Sequence, residues 1–285
     1  MKLLVTHRAP DIDALTSVWI LKRFDPEHFA DAKIAFVDAG KTIDEKEVAR
    51  LGFSMNEVIH TDTGNGEFDH HQADRAHQRV CAASLTYDYV SNINTSSAQD
   101  WALQQIVEYV LVDDHFEDFF FEDASSARNL FAFRGILHGE EIQGLHTDET
   151  QITFGFRCLD SIYASLKERK KAIDEVTNGE IFETKWGRSL GMETSNQAAV
   201  RFAQLQGFNL VIQKDPRRGG VNIKAAPRPE LDLTQLYEKI VSVDTIGNWF
   251  FHNGLHMIIN NSSHAHQKPT PLSLNAVMRL AKECV

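Results

Sequence analysis

Cysteine is scarce in this chain: three in 285 residues, Cys81, Cys158 and Cys284, far apart and without a C-x-x-C. An odd number of separated thiols indicates neither a disulfide framework nor a thiolate zinc site, and a reduced, cytoplasmic compartment is the default expectation. Long hydrophobic runs are missing too. The N-terminus offers only Leu3-Leu4-Val5 before Thr6, His7 and Arg8, far short of a signal-peptide core or a bilayer span. No later stretch is long and apolar enough, so no membrane partner is expected. Positive charge is in deficit, with 29 Lys and Arg against 40 Asp and Glu for a net charge of -11. That balance argues against a protein that coats duplex nucleic acid with its whole surface. It leaves room for a local basic groove, and carboxylates bundled around divalent cations would overstate the negative field.

What is present is ordinary for a globular enzyme: 42% hydrophobic and 24% charged residues. The length suits two domains with sizeable cores. Leu3-Leu4-Val5 is continuously apolar, as a buried strand is, and ends at His7. Pro10 interrupts pairing, and an Asp can cap a helix running to about Phe24, with Leu15, Val18, Trp19 and Lys22 on one face. Strands over 33–38 and 57–60 enclose a helix over 43–51 that Gly52 stops. Strand, helix, strand, helix, strand with short links predicts an α/β fold with a doubly wound, mainly parallel sheet. Buried helices are expected over 81–89 and 98–112, a Phe-rich core edge or interface over 116–137, and a loop over 139–150. An amphipathic helix over 154–176 suits a connection, placing a first domain at 1–153, a connecting helix at 154–180 and a smaller α/β domain at 181–285. Short strands at 209–213 and 221–225 are expected in that last domain.

In doubly wound sheets the ligand crevice lies outside the carboxyl ends of the strands. His7, Asp11, Asp13 and Asp62 fall at such ends, and Gly64-Asn65-Gly66 can turn the chain so that Asp69-His70-His71 returns to them. The helix ending at Val112 runs into Asp113-Asp114-His115, and carboxylates at a buried helix end require a partner such as a metal. His7, Asp11, Asp13, Asp62, His70 and one of Asp113 or Asp114 form a mixed nitrogen and oxygen set. It fits Mn²⁺, Mg²⁺, Fe²⁺ or Co²⁺ better than a closed structural zinc site. Two such ions ~3.5–4 Å apart can hold a phosphoryl group and activate water. Asp38 suits a strand-end turn acid.

These motifs resemble those of the DHH phosphoesterases. His7-Arg8-Ala9-Pro10-Asp11-Ile12-Asp13-Ala14 is similar to that superfamily's first motif, Asp62-Thr63-Gly64 to its second, Asp69-His70-His71 to the third and Asp113-Asp114 to the fourth. Phe68-Asp69-His70-His71-Gln72, Ala82-Ala83-Ser84-Leu85-Thr86-Tyr87 and the tail from Trp249 to Gly254, with Asn260-Asn261 and a closing helix over 272–282, look most like the branch of melanocyte-proliferating-gene nucleases. The first motif keeps the H-x-x-x-D-x-D-A form of RecJ-like nucleases and manganese-dependent pyrophosphatases. The resemblance implies that Asp62 bridges two Mn²⁺ ions, with Mg²⁺ or Co²⁺ as substitutes. His7 and Asp11 would complete one shell and Asp13 and His70 the other, with Asp114 shared or nearby. It leaves His71 to contact the scissile phosphate or its attacking water, and Asp69 to orient a histidine.

The C-terminal domain is then expected to select substrate. Lys214, Arg217, Arg218, Lys224 and Arg228 make a basic patch in an acidic protein, and Gly219-Gly220 would let backbone N–H groups approach an anion. The same patch also fits a solvated face. Asn261, His264 and His266 stand where the family carries a glycine-rich, histidine-containing substrate motif. The resemblance implies a manganese-dependent phosphohydrolase, 3′–5′ exonuclease-like, removing nucleotides from short RNA or DNA in a cleft between domains. The alternatives are a small-molecule phosphohydrolase acting on pyrophosphate, a nucleoside monophosphate or a cyclic dinucleotide, and a non-catalytic nucleotide-binding protein.

Overall fold

The computed structural model describes residues 1–75, 77–144, 147–260 and 268–284. Two units divide the chain, Met1–Leu166 and Lys167–Val285. In the first, β1 (Leu3–His7), α1 (Ile12–Phe24), α2 (Pro26–Phe29), β2 (Lys33–Val37), α3 (Glu45–Arg50) and β3 (Val58–His60) alternate strand with helix. The sheet has the order β2-β1-β3 and is parallel throughout, with Leu3 opposite both Lys33 and Val58. Successive strand side chains face opposite ways. Leu4 therefore packs with Val18 and Leu21 of α1, whereas Leu3 and Val5 pack with Val48 of α3. Helices cover both faces, the doubly wound arrangement.

The spacing in α1 predicts a single apolar face, but every residue from Ile12 to Leu21 is buried. The cause is position: α1 lies against β1 and also against α4 (Ala82–Ile93) and, after α5 (Thr95–Ala98), α6 (Trp101–Asp114). Lys22 escapes this environment by donating to the carbonyls of Phe29, Ala30 and Ala32 at 3.2, 2.9 and 2.7 Å.

Two expectations for the next segment are corrected. The helix α7 (Phe133–Gln143) runs through Gly139, so the connection before α8 (Asp148–Thr177) is shorter than the loop predicted over 139–150. The Phe-rich stretch meets the core only at its end, where Phe133 and Leu137 are buried, and its earlier part does not form a core edge. It makes two 3-10 turns, Glu117–Phe120 and Ala127–Phe131, with Phe119, Phe120 and Phe131 77%, 83% and 84% exposed. Polar pairs shape it instead: Arg134 Nη1 donates to Asp113 Oδ1 and Asp118 Oδ2 at 3.1 and 3.2 Å, and Arg128 pairs with Asp123. No helix among the described residues is long and apolar enough to cross a membrane.

The division between units falls within α8. The second unit continues with β4 (Glu180–Thr184), β5 (Gly187–Glu193), α9 (Gln197–Leu205), β6 (Leu210–Lys214), β7 (Val221–Ala225), α10 (Thr234–Val243), β8 (Phe250–Phe251), β9 (Met257–Asn260) and α11 (Leu274–Lys282). Its sheet, β4-β5-β6-β7-β9-β8, is antiparallel except at β5–β6, which α9 connects. Leu210 and Ile212 pack with α10 and α11, and Val211 between them packs with α9.

Buried Asp244 ties this unit's last turns together. It accepts from the Ile246 and Gly247 amides at 2.9 Å each, from Trp249 Nε1 at 2.8 Å and from the Thr270 hydroxyl. Burial works to raise its pKa, but these donors outweigh it and hold the carboxyl below its ordinary 3.8. Asp244→Asn is expected to destabilise the protein by about 1–3 kcal/mol in urea denaturation. A depressed carboxyl stabilises the fold above its unfolded value and ceases to as pH falls through the folded one. The gap between variant and wild type therefore closes only below pH 3.8.

Candidate metal centre

The carboxyl ends of β1 and β3 are neighbours, and the strand order 2-1-3 makes the crevice beyond them a switch point. His7 closes β1. The turn that follows is held in a left-handed conformation at Ala9, φ +48°, by the Ala9 amide donating to Asp148 Oδ1 at 2.8 Å. Gln151 Nε2 donates to Pro10 O at 3.0 Å. Asp11 then caps α1 through the Ala14 amide, and Asp13 in the first turn points inward, buried.

Beyond β3, Asp62 adopts φ +55°, and its amide donates to Phe68 O at 2.9 Å as the chain doubles back. Gly64, at φ +77°, is needed there because a Cβ would lie 2.5 Å from the His60 ring. Asp69-His70-His71 returns to the crevice, braced by Arg75 Nη1 donating to Glu67 O and Asp69 O at 2.8 and 2.6 Å. The end of α6 brings Asp114 to the same place.

The centre is organised about Asp62. One oxygen, Oδ2, lies 3.2 Å from His7 Nε2; the other, Oδ1, lies 3.3 Å from His70 Nε2. Asp11 Oδ2 is 3.8 Å from His7 Nε2, while Asp13 Oδ2 and Asp114 Oδ1 are each 3.7 Å from His70 Nε2. Among the described residues, three overlapping groups could each hold a metal ion: His7, Asp11 and Asp62; Asp13, His70 and Asp114; and Asp62, His70 and His71. His7 Nδ1 donates to Arg8 O at 2.8 Å, which leaves Nε2, 3.2 Å from Asp62 Oδ2, as the nitrogen a metal could take once its proton is lost. Asp62 Oδ1 and His70 Nε2 are buried and face each other at 3.3 Å, but neither has a well-aligned hydrogen bond among the described residues. Two orphaned polar atoms, a donor set of imidazole and carboxylate, and no thiolate fit a divalent cation.

Charge distribution points the same way. Burial raises the pKa of Asp13, and the Asp62 and Asp114 carboxylates beside it push further in that direction. Asp114 is raised by burial as well, with Asp62 adding to it and His70 opposing. Burial alone would lower the histidines, but their carboxylate neighbours win: His70 is pushed up to about 9 and His7 to about 11. In the metal-free protein protons therefore occupy the positions where cations would neutralise the acids.

Asp69 is buried and accepts from the Asn65 amide at 2.7 Å, the His71 amide at 3.1 Å and His71 Nδ1 at 2.8 Å. The His71 side chain is 60% exposed, and Nδ1 is 3.7 Å from Asp62 Oδ1. Asp113 turns to Arg134 instead of the histidines, and Asp38 is an exposed acid 3.5 Å from Arg8 Nε. Arg8, Asp148, Arg75 and Arg134 brace the site and escaped the sequence reading. Arg8, Asp148 and Arg134 work through partners remote in sequence, and Arg75 through backbone carbonyls, neither of which a residue spacing marks.

The basic patch of the second unit lies on the β6–β7 hairpin, and the anion cradle expected at Gly219 and Gly220 is corrected in part. Gly219 N–H donates to Asp215 O and Lys214 Nζ to Gly219 O, at 2.8 and 2.9 Å. Asp215 Oδ1 takes the amides of Arg217 and Arg218, and Gly220 O accepts from the Asp215 amide. The hairpin thus closes on itself; the Arg217 and Arg218 side chains stay exposed, and Lys224 sits in β7. Asn261, His264 and His266 lie outside the described residues.

No protein-family model matches this chain, and no curated protein matches it. Among solved structures it is similar to the DHH domain of a member of a ribosomal-protein family, at 13% identity over 91% of this chain and 82% of that one, with a TM-score of 0.33. It is also similar to RecJ in complex with Mn²⁺ from Thermus thermophilus, at 14% identity over 99% of this chain, with a TM-score of 0.31; the chain spans 51% of that structure.

Asp62→Asn is expected to weaken Mn²⁺ binding by at least about tenfold, measured by calorimetric titration of the chelator-stripped protein. Asp113→Asn should stay near wild type, since Asp113 serves Arg134. Uptake would release protons, so affinity is expected to rise with pH through about 9, where His70 loses its proton, and on toward about 11, where His7 does. A pH-independent affinity would contradict the arrangement.

Proposed function

We propose that this protein is a metal-dependent phosphodiesterase, an exonuclease of the 3′–5′ type that removes nucleotides from short RNA or DNA. The observation that carries the reading is the division of Asp62, whose two buried oxygens face His7 and His70 at 3.2 and 3.3 Å. One carboxylate so placed suits a bridge between two cations, the arrangement used to cleave phosphoesters. His7, Asp11 and Asp62 would hold one Mn²⁺ and Asp62, Asp13, His70 and Asp114 the other. When bound, such a pair polarises the phosphoryl group and makes water nucleophilic at neutral pH. The resemblance of the four motifs to DHH phosphoesterases supports the same chemistry.

The side chains divide the remaining work. His71, pinned through Nδ1 by Asp69 and otherwise exposed, is free to meet a phosphate oxygen with Nε2. The buried Asp69 keeps that ring oriented and the loop in register. Asp13 serves twice. Its oxygens accept the Ala82 and Ala83 amides at 2.7 Å each, at the N-terminus of α4, so the helix dipole supports a carboxylate that faces His70. Arg217, Arg218 and Lys224 of the second unit offer cationic side chains of the kind that phosphates attract.

The decisive experiment offers short RNA, short DNA, cyclic dinucleotides and pyrophosphate to the Mn²⁺-supplemented protein and to Asp62→Ala. The expected result is release of mononucleotides from 3′ ends, reduced at least about a thousandfold in the variant. Hydrolysis of pyrophosphate with oligonucleotides spared would move the reading to a small phosphohydrolase. Nucleotide binding without turnover would make the protein a binding module.

A further inference from the structure

A cavity of about 750 Å³ opens beside the metal centre, within the range of small-ligand sites. Asp11 and Asp114, which face the two site histidines, also line it. Its walls are Tyr109, Phe116, Phe121 and Leu130, and carboxylates such as Asp118 and Glu141 stand among them. All four of these walls face solvent: Tyr109 is 41%, Phe116 68%, Phe121 55% and Leu130 64% exposed.

That exposure is built rather than incidental. Phe116 is held at φ +54°, a left-handed conformation that a bulky side chain rarely adopts. Its amide donates to Asp113 O at 3.1 Å, directly after the acids that end α6. Arg134 ties the next turn to α6 through Asp118 and Asp113. Gly135 lets α7 cross the Leu130 turn so closely that a Cβ would lie 2.5 Å from Leu130 Cα. Backbone strain and ion pairs together present rings that burial inside a core would have stabilised.

We propose that this cavity is the binding site for the nucleobase of the nucleotide being cleaved, a proposal that rests on the phosphodiesterase reading. Three features select that occupant. The cavity shares Asp11 and Asp114 with the phosphoryl site, so its ligand must be the part of a substrate next to the reacting phosphate. Its flat aromatic walls offer stacking to any base. Its lining carboxylates outnumber its cations, for Asp118 shares Arg134 with Asp113 and Glu141 pairs with His138, and the carboxylate oxygens left over suit the amino groups of adenine, cytosine and guanine and disfavour a second phosphate or an acidic peptide.

The test pairs Phe121→Ala with Leu130→Asp in the full chain, both at exposed positions, with circular dichroism and thermal melting to show the fold intact. Binding is read first without catalysis: adenosine is titrated in chelator and followed by saturation-transfer NMR. Wild type should show contacts to the base protons, and the double variant should lose about tenfold or more in affinity. Turnover is read second, comparing a dinucleotide with its abasic counterpart in Mn²⁺. The variant's loss in kcat/KM on the base-bearing substrate should exceed that on the abasic one by about tenfold. No adenosine binding by wild type, undiminished binding by the variant, or equal losses on both substrates would each overturn the proposal. So would uptake of an octyl glucoside probe with adenosine ignored. Adenosine binding without hydrolysis of any phosphodiester would refute the catalytic reading and leave base recognition standing.

Discussion

Three carboxylates gathered at the end of a small sheet set the terms for the first unit. Asp13 and Asp62 are buried and Asp114 is largely so, within reach of one another through His70. Ionised acids in such a place repel and resist desolvation, and only positive charge reconciles them. Protons on His7 and His70 do so in the metal-free protein, which is why those imidazoles hold on to them far above their ordinary pKa. Divalent cations would satisfy the same acids and the orphaned atoms Asp62 Oδ1 and His70 Nε2. Much of the surrounding structure keeps the acids from moving apart: the α4 amides on Asp13, the Arg75 brace and the left-handed backbone at Asp62.

The aromatic segment beside the centre is held together differently. Phe116, Phe119, Phe120, Phe121 and Phe131 all face solvent, although apolar side chains gain most from burial. Ion pairs of Arg134 and Arg128 shape the turns in place of a hydrophobic core. The result is an accessible aromatic surface, part of which adjoins the acids.

The second unit is organised by hydrogen bonds at its edges and two cores across its sheet. Asp244 gathers its donors around the last turns, and buried Asn260 donates to the Asn248 and Lys268 carbonyls while accepting from the Thr270 amide. The β6–β7 hairpin uses Lys214, Asp215 and Gly219 to close on itself, leaving exposed arginine side chains as its chemistry.

The local patterns determined a good deal. Short apolar runs ending at His7, Val37 and His60 marked parallel strands, because a strand covered on both faces needs apolar residues throughout. Polar residues at those ends marked the crevice, since the carboxyl edge of such a sheet is where side chains converge. What the sequence left open was settled by partners distant along the chain. Asp114 rather than Asp113 faces His70 because Arg134, 21 residues on, claims Asp113. The whole surface of α1 from Ile12 to Leu21 is buried because α4 and α6 fold over it, which no periodicity within the helix reports. The exposure of Phe116, Phe119 and Phe120 was hidden for the same reason: hydrophobicity says what a side chain would gain from burial, and only the tertiary structure decides whether anything is there to bury it.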